Sequence, residues 1–237
     1  PYNTRREFIG ALSNDGFESV LKPEHIFSQG ETREDLVALR NRYDDYLLYV
    51  DAEFARLISL LQESGLLANS YIVFTSDHGE MFERGIKGHG GVPMMHPLLH
   101  VPLIIKSPGQ QARQDVTTFT NTTDLLPTLL YFAKRDVPTW AQGHVLPPFA
   151  DQISDERPIF SFNTLDADAQ QPFRTPNFSV VKNGYKLLFI SGYEVLNGQD
   201  HFELYDLVND PEELNDLYGQ RPDVFDDLYG ETRAVMD

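Results

Sequence analysis

The chain has 237 residues, 41% of them hydrophobic, no cysteine and a formal net charge of −17. That length supports one large domain, or one and a half ordinary ones, with a sizeable core. The missing cysteines exclude disulfides, thiolate metal sites and a Cys nucleophile within these residues. The acidic balance without a basic patch argues against nucleic-acid binding, and no apolar run reaches the roughly 18 residues that a membrane span requires.

Residues 1–30 read as loop with short elements, turning at Asn14-Asp15-Gly16 and Lys22-Pro23. The opening Pro1-Tyr2-Asn3-Thr4-Arg5-Arg6 matches neither a signal peptide nor a transit sequence. A mature form or a piece of something longer is the expectation. From Thr32 to Glu63 the spacing predicts one long amphipathic helix. Leu36, Leu39, Tyr43, Leu47, Val50, Phe54, Leu57 and Leu61 recur at three- and four-residue steps and share a face. Thr32 with Asp35 resembles a capping box, and Gly65 is a natural stop. Asp51, beside the stripe, reads as a solvated or capping carboxylate.

Tyr71–Ser76 reads as a buried strand, Gly79–Pro97 as a loop rich in Gly, Pro and His, and Val101–Ile105 as a second strand. Strand, long loop, strand predicts a parallel pair whose loop carries function. A helix is expected near Thr123, capped by Thr123 or Asn121, with Asp124 and Pro127 in its first turn. Beyond Val137 a proline-punctuated connection leads to short β-like runs at Ile159–Phe162, Phe178–Val181, Lys186–Ile190 and Phe202–Leu207. Asn183-Gly184 is a hairpin signal, and Pro222–Met236 reads as a closing helix. Residues 1–150 are thus expected to form an α/β core, and 151–237 a small antiparallel sheet with a helix.

The chemistry concentrates in Ser76-Asp77-His78-Gly79-Glu80, where a strand-like run ends in a carboxylate and an imidazole. In open α/β sheets, sites lie just beyond the carboxyl ends of strands. Asp77 and His78 are ligand types for a divalent cation, and Gly79 lets both converge. A helix-capping Asp77 and a packed His78 would account for the dipeptide equally well. The next stretch, Arg84 to Gly91, holds Lys87 and His89 among glycines. A cation or imidazole there could stabilise an oxyanion or protonate a leaving oxygen. His89 has no evident core role. Arg84 and Lys87, each taken alone, read as solvated loop charges, and His96 and His100 as structural.

Four segments together resemble the sulfatase family of the alkaline-phosphatase-like superfamily. They are Arg42-Tyr43 through Leu66-Leu67, Phe74-Thr75-Ser76-Asp77-His78-Gly79-Glu80, His100-Val101-Pro102-Leu103-Ile104-Ile105 to Pro108-Gly109, and Thr123-Asp124-Leu125-Leu126-Pro127-Thr128-Leu129. Tyr185-Lys186-Leu187, Glu203-Leu204-Tyr205-Asp206-Leu207 and Asp210-Pro211-Glu212-Glu213-Leu214 resemble the family's small C-terminal sheet. The resemblance implies a partial alkaline-phosphatase-like α/β sandwich. It implies a metal-dependent sulfuric ester hydrolase acting on a small-molecule or carbohydrate sulfate ester. Asp77 and His78 would hold one divalent cation, usually Ca²⁺, with Mg²⁺, Mn²⁺ or Zn²⁺ as alternatives. Lys87 and His89 are the catalytic candidates.

The family's formylglycine nucleophile arises in a Cys/Ser-x-Pro-x-Arg motif, which this chain lacks. The resemblance places that motif in an upstream part of the same domain, which would leave the chain alone catalytically incomplete. A periplasmic or extracellular setting is implied by the family only. Near Gly91, where many sulfatases carry a Lys, this chain has none. A phosphonate or phosphate ester hydrolase, a phosphoethanolamine transferase, and a non-catalytic fragment keeping the fold therefore remain alternative readings.

Overall fold

The computed structural model describes residues 4–12, 21–90, 93–150, 154, 156–164 and 174–236. The expected turn at Asn14-Asp15-Gly16 lies outside them. The chain packs as two compact units, one formed by 1–92 with 100–112, the other by 93–99 with 113–237. Residues 113–150, read from the sequence as part of the first domain, thus pack with the C-terminal sheet.

In the first unit, helix α1 (Arg33–Glu63) begins where the capping residues place it. Thr32 Oγ1 accepts from the Asp35 amide at 3.2 Å and donates to the Asp35 carboxylate at 2.6 Å. Gly65, at φ +73°, ends it, with Leu66 N donating to Leu61 O at 3.0 Å. This is a left-handed glycine stop that satisfies carbonyls of the last turn.

Strand β1 (Ile72–Thr75) pairs with β4 (Leu103–Lys106), and the pairing is antiparallel, with Thr75 opposite Leu103. This corrects the expected parallel pair. A parallel return needs a crossover that carries the chain back along the sheet, usually a long helix. Among its described residues the connection here holds only a hairpin, β2 (Met81–Glu83) with β3 (Ile86–Gly88), and the short helix α2 (His96–Leu99). The chain therefore re-enters beside the end it left. The expected loop is also more ordered than read, since β2 and β3 lie within it.

α1 packs through Phe54 on Phe74 of β1, ring centroids 5.0 Å apart, and through Tyr43 on Phe82 of β2, 5.3 Å apart. Its apolar stripe is only partly covered. Leu36 is buried, whereas Leu47 and Leu57 keep 45% and 49% of their surface exposed. A helix of 31 residues spans about 45 Å, more than this narrow sheet can cover. Asp51 is exposed, as read. Asp45, which carried no signal in the sequence, is buried and accepts from the Gly10 and Leu12 amides at 2.7 and 3.3 Å.

The second unit is a four-stranded antiparallel meander in the order β5 (Ile159–Thr164), β6 (Pro176–Lys182), β7 (Tyr185–Ile190), β8 (His201–Asp206). Asn183 and Gly184, at φ +53° and +77°, make the β6–β7 hairpin that their sequence announces. Helix α4 (Pro222–Met236) lies on one face. Val180, Leu187, Leu204 and Leu228 form its core, with Phe225 and Tyr229 edge-on to Phe202.

Helix α3 (Leu125–Phe132) follows a single 3-10 turn, Thr122–Asp124, which Asn121 caps through a reciprocal box with Asp124. Asp124 is wholly buried and accepts from Arg157 Nη1 and Nη2 at 2.8 and 2.7 Å, from His144 N at 2.8 Å and from Asn121 N at 2.9 Å. Burial alone would raise its pKa. The Arg157 fork and the two amides outweigh that and hold it below the ordinary carboxylate value.

Asp124→Ala leaves the Arg157 charge without its carboxylate and is expected to cost about 3 kcal/mol. That is the low end for a buried pair, because Arg157 keeps partial solvent access. Denaturant midpoints measure it. Because the folded-state pKa is lowered, the stabilisation is complete above the ordinary carboxylate range and is lost as pH falls below about 4. The acid limb of the wild-type stability curve should therefore contain a component that Asp124→Asn lacks.

Candidate active site

β1 delivers Ser76, Asp77 and His78 to its carboxyl end. There Ser76 Oγ donates to the His78 carbonyl at 2.8 Å, and the His78 amide donates to Asp77 Oδ1 at 3.0 Å. These two bonds fold the strand end back and set both functional side chains outward. Asp77 is the more exposed, at 86% of its side chain against 45% for His78. The His78 amide, then the neighbouring imidazole, keep the Asp77 carboxyl below its usual value.

His78 Nδ1 lies 2.8 Å from the Gly79 carbonyl oxygen. A carbonyl only accepts, so Nδ1 carries a proton, and in the neutral ring Nε2 is the nitrogen left with a lone pair. That Nε2 is 3.7 Å from Asp77 Oδ2. Two ligand atoms each 2.0–2.4 Å from one ion, at the angles usual in tetrahedral to octahedral shells, stand roughly 3–4 Å apart. The spacing of the pair is one that a divalent cation could span, and a backbone carbonyl on Nδ1 is the usual way a ligating histidine is oriented.

The β2–β3 hairpin supplies the next groups. Its turn is Arg84-Gly85, at φ +59° and +75°, closed by Glu83 opposite Ile86. Met81 stands opposite Gly88, so continuing the register sets Glu80 opposite His89. Cross-strand neighbours of this kind meet through their side chains. His89 Nδ1 lies 3.1 and 3.3 Å from the two Glu80 carboxylate oxygens, and the His89 ring packs against that of His78, tilted by 33° with centroids 4.1 Å apart. Burial, then the Glu80 charge, raise the pKa of Tyr43 on α1. Asp77, His78, Glu80 and His89 thus form one cluster.

Lys87 takes a different position. Its ammonium is ion-paired with Glu31 and its backbone amide meets Gln29 Oε1 at 3.5 Å. Arg84 departs from the solvated loop charge read for it. It is buried, beside Glu83 at 3.5 Å, and its carbonyl accepts from His25 N at 3.1 Å. The glycine at 85 serves chain packing. The Gln29 amide donates to its carbonyl at 2.9 Å, and a Cβ added there would overlap Ser28 Oγ. His96 offers its amide to Glu213, while His100 is exposed. The residue that sequence reasoning missed is Glu80. The available signal was Arg-Gly between Met81-Phe82-Glu83 and Ile86-Lys87-Gly88, a two-residue hairpin turn whose register pairs positions 80 and 89.

Two family profiles match, one described as Sulfatase over residues 13–134 and one as N-sulphoglucosamine sulphohydrolase, C-terminal, over residues 92–231. The chain belongs to the sulfatase family. It is similar to arylsulfatase K of Xenopus laevis, 26% identical over 211 residues, covering 87% of this chain and 38% of that protein. It is also similar to an N-acetylglucosamine-6-O-sulfatase of Bacteroides thetaiotaomicron, 30% identical, covering 74% of this chain and 32% of that one. Among solved structures, a phosphonate monoester hydrolase from Silicibacter pomeroyi superposes with a TM-score of 0.66 at 27% identity, over 86% of this chain and 41% of that one. The fold is the α/β alkaline-phosphatase-like one of this family. The chain spans well under half the length of these relatives.

Gly85→Ala forces a side chain into a left-handed backbone and against Ser28. It is expected to cost at least about 1–2 kcal/mol. It should also weaken the Glu31–Lys87 pair, so that backbone amides of 28–31 exchange faster with deuterium.

Proposed function

We propose that this chain carries the metal-holding part of a sulfuric ester hydrolase, and that Asp77 and His78 hold one divalent cation, Ca²⁺ by family likeness. The observation that carries the reading is His78 itself: its Nδ1 bonded to the Gly79 carbonyl and its Nε2 turned to within 3.7 Å of Asp77 Oδ2. A bound cation would neutralise sulfate oxygens and polarise the S–O bond. His89 faces the substrate oxygens through Nε2, because Glu80 occupies Nδ1. Glu80 fixes that ring's orientation. Lys87 adds positive charge at the rim of an otherwise acidic chain, tempered by its pairing with Glu31.

The remaining ligands and the formylglycine nucleophile are assigned to the upstream part of the family's domain. In favour of this, residues 92–231 match a profile described as C-terminal, and the chain covers 38% of the arylsulfatase K it resembles. The substrate is a small-molecule or carbohydrate sulfate ester, by likeness to the N-acetylglucosamine-6-O-sulfatase. A periplasmic or extracellular setting rests on family likeness alone. Phosphonate monoester hydrolysis is the second reading, favoured by the 27% identity with such an enzyme.

Parallel assays of the protein containing this chain, with an aryl sulfate, N-acetylglucosamine-6-sulfate and a phosphonate monoester, separate the readings. Sulfate ester turnover is expected to exceed phosphonate turnover, and the reverse order would establish the second reading. Asp77→Ala and His78→Ala should each lower bound Ca²⁺ in equilibrium dialysis and turnover at least about 100-fold. Wild-type metal content in both variants would remove the site. His89→Ala should lower kcat about 10²- to 10⁴-fold while metal stays bound. Lys87→Ala should cost less than about 10-fold, as an exposed paired charge does.

A further inference from the structure

Among the described residues β2 and β3 pair only with each other, so no wider sheet sets how their hairpin stands. A two-stranded hairpin alone is marginal in water, and this one matches three residues with three. Within the first unit it is bordered by α1, through Tyr43 on Phe82. It is bordered also by the segment 22–31, which bonds to its turn end. The His25 amide donates to the Arg84 carbonyl at 3.1 Å, and the Gln29 amide to the Gly85 carbonyl at 2.9 Å. Lys22 adds a charge to these backbone bonds. Its ammonium lies 3.0 and 2.9 Å from the two carboxylate oxygens of Glu83.

Packing alone does not call for a lysine at this place. The Lys22 side chain is only 4% exposed, against 22% for Glu83. Enclosing an ammonium is costly, and apolar residues of similar volume commonly serve stability as well or better. What the pair supplies is direction. Both oxygens of Glu83 face the one ammonium, which fixes the carboxylate, and with it the end of β2, against the segment 22–31. Arg84 Nε, 3.5 Å from Glu83 Oε1 and equally enclosed, faces the same carboxylate from within the turn.

We infer that Lys22 is a positioning residue for the reaction: through Glu83 it sets the hairpin that carries Glu80 and His89. The inference rests on the reading that His89 serves sulfate ester hydrolysis. His78 is held at the end of β1 by bonds within 76–79. His89 is held from the hairpin, by Glu80 across the ladder. The 4.1 Å spacing of the two rings therefore depends on the tilt of the hairpin. Glu83 stands three residues, about 10 Å of extended chain, from Glu80. Loosening the turn end lets the open end swing, and misplacement of a positioned group by about 1 Å is enough to cost about 100-fold in rate. Lys22 acts from the far end of the hairpin and is not a catalytic residue.

The test uses the protein containing this chain, with two variants. Lys22→Met leaves Glu83 without its ammonium and is expected to lower both thermal midpoint and kcat for a sulfate ester. The decisive variant is Lys22→Met combined with Glu83→Gln. It removes both charges, keeps an oxygen that can accept from Arg84, and should recover most of the thermal midpoint. In it, the His25 and Gln29 amides should exchange with deuterium at least about 10-fold faster, while amides of the β2–β3 ladder keep their protection. Its kcat should stay at least about 10-fold down, with KM and bound Ca²⁺ changed less than about 3-fold. Full recovery of kcat together with the thermal midpoint makes the pair structural only and overturns the inference. So does unchanged exchange at His25 and Gln29, loss of Ca²⁺ in step with kcat, or failure of the double variant to fold. An inactive wild-type protein is a different result. It strikes the hydrolase reading, and the positioning role falls with it.

Discussion

The hydrogen bond from His78 Nδ1 to the Gly79 carbonyl decides which nitrogen of the ring meets Asp77. Without it the imidazole could rotate or change tautomer, and the adjacent carboxylate would have no fixed partner. The bond exists because Ser76 ties back the His78 carbonyl and so bends the strand end. Three consecutive polar residues after an apolar strand are thereby held by hydrogen bonds among themselves. The rest of the site is arranged around that pair, with His89 laid against the ring and Glu80 behind His89.

Rigidity at this point contrasts with the means used elsewhere. In the C-terminal unit, order comes from an apolar layer between one sheet face and α4, as expected for a meander too small to stand alone. Around α3 it comes from a single buried carboxylate that accepts from both Nη atoms of Arg157 and from two backbone amides of separate segments. In the first unit, the strap 28–31 is held to the hairpin through the backbone of Gly85, which needs a residue without a side chain. Each device is local in space, but the last two join segments far apart in sequence.

That distinction explains what could be read in advance. α1, the β6–β7 hairpin, α4 and the Asp77-His78 pair carry their signals within a few residues, as caps, turn dipeptides and periodicity. The sense of the β1–β4 pairing did not. It depended on whether the intervening chain formed a crossover helix or a hairpin, and Arg84-Gly85 is a weaker turn signal than Asn-Gly. The same oversight hid Glu80, whose role follows from hairpin register alone. Arg84 was misread because loop charges are usually solvated, whereas this one is enclosed by chain that precedes it by some sixty positions. Lys22 and Glu83 carry no local sign of their pairing.

The partly covered stripe of α1 has a practical corollary. Leu47, Leu57 and Leu60 of α1 and Ile104 of β4 leave much of their surface in water, and among the described residues β1 and β4 pair only with each other. Greasy ridges next to open strand edges invite copies to stick to one another. Handled in isolation, this polypeptide would have only the mutual repulsion of its seventeen excess negative charges to keep it dispersed, and added salt would weaken that protection.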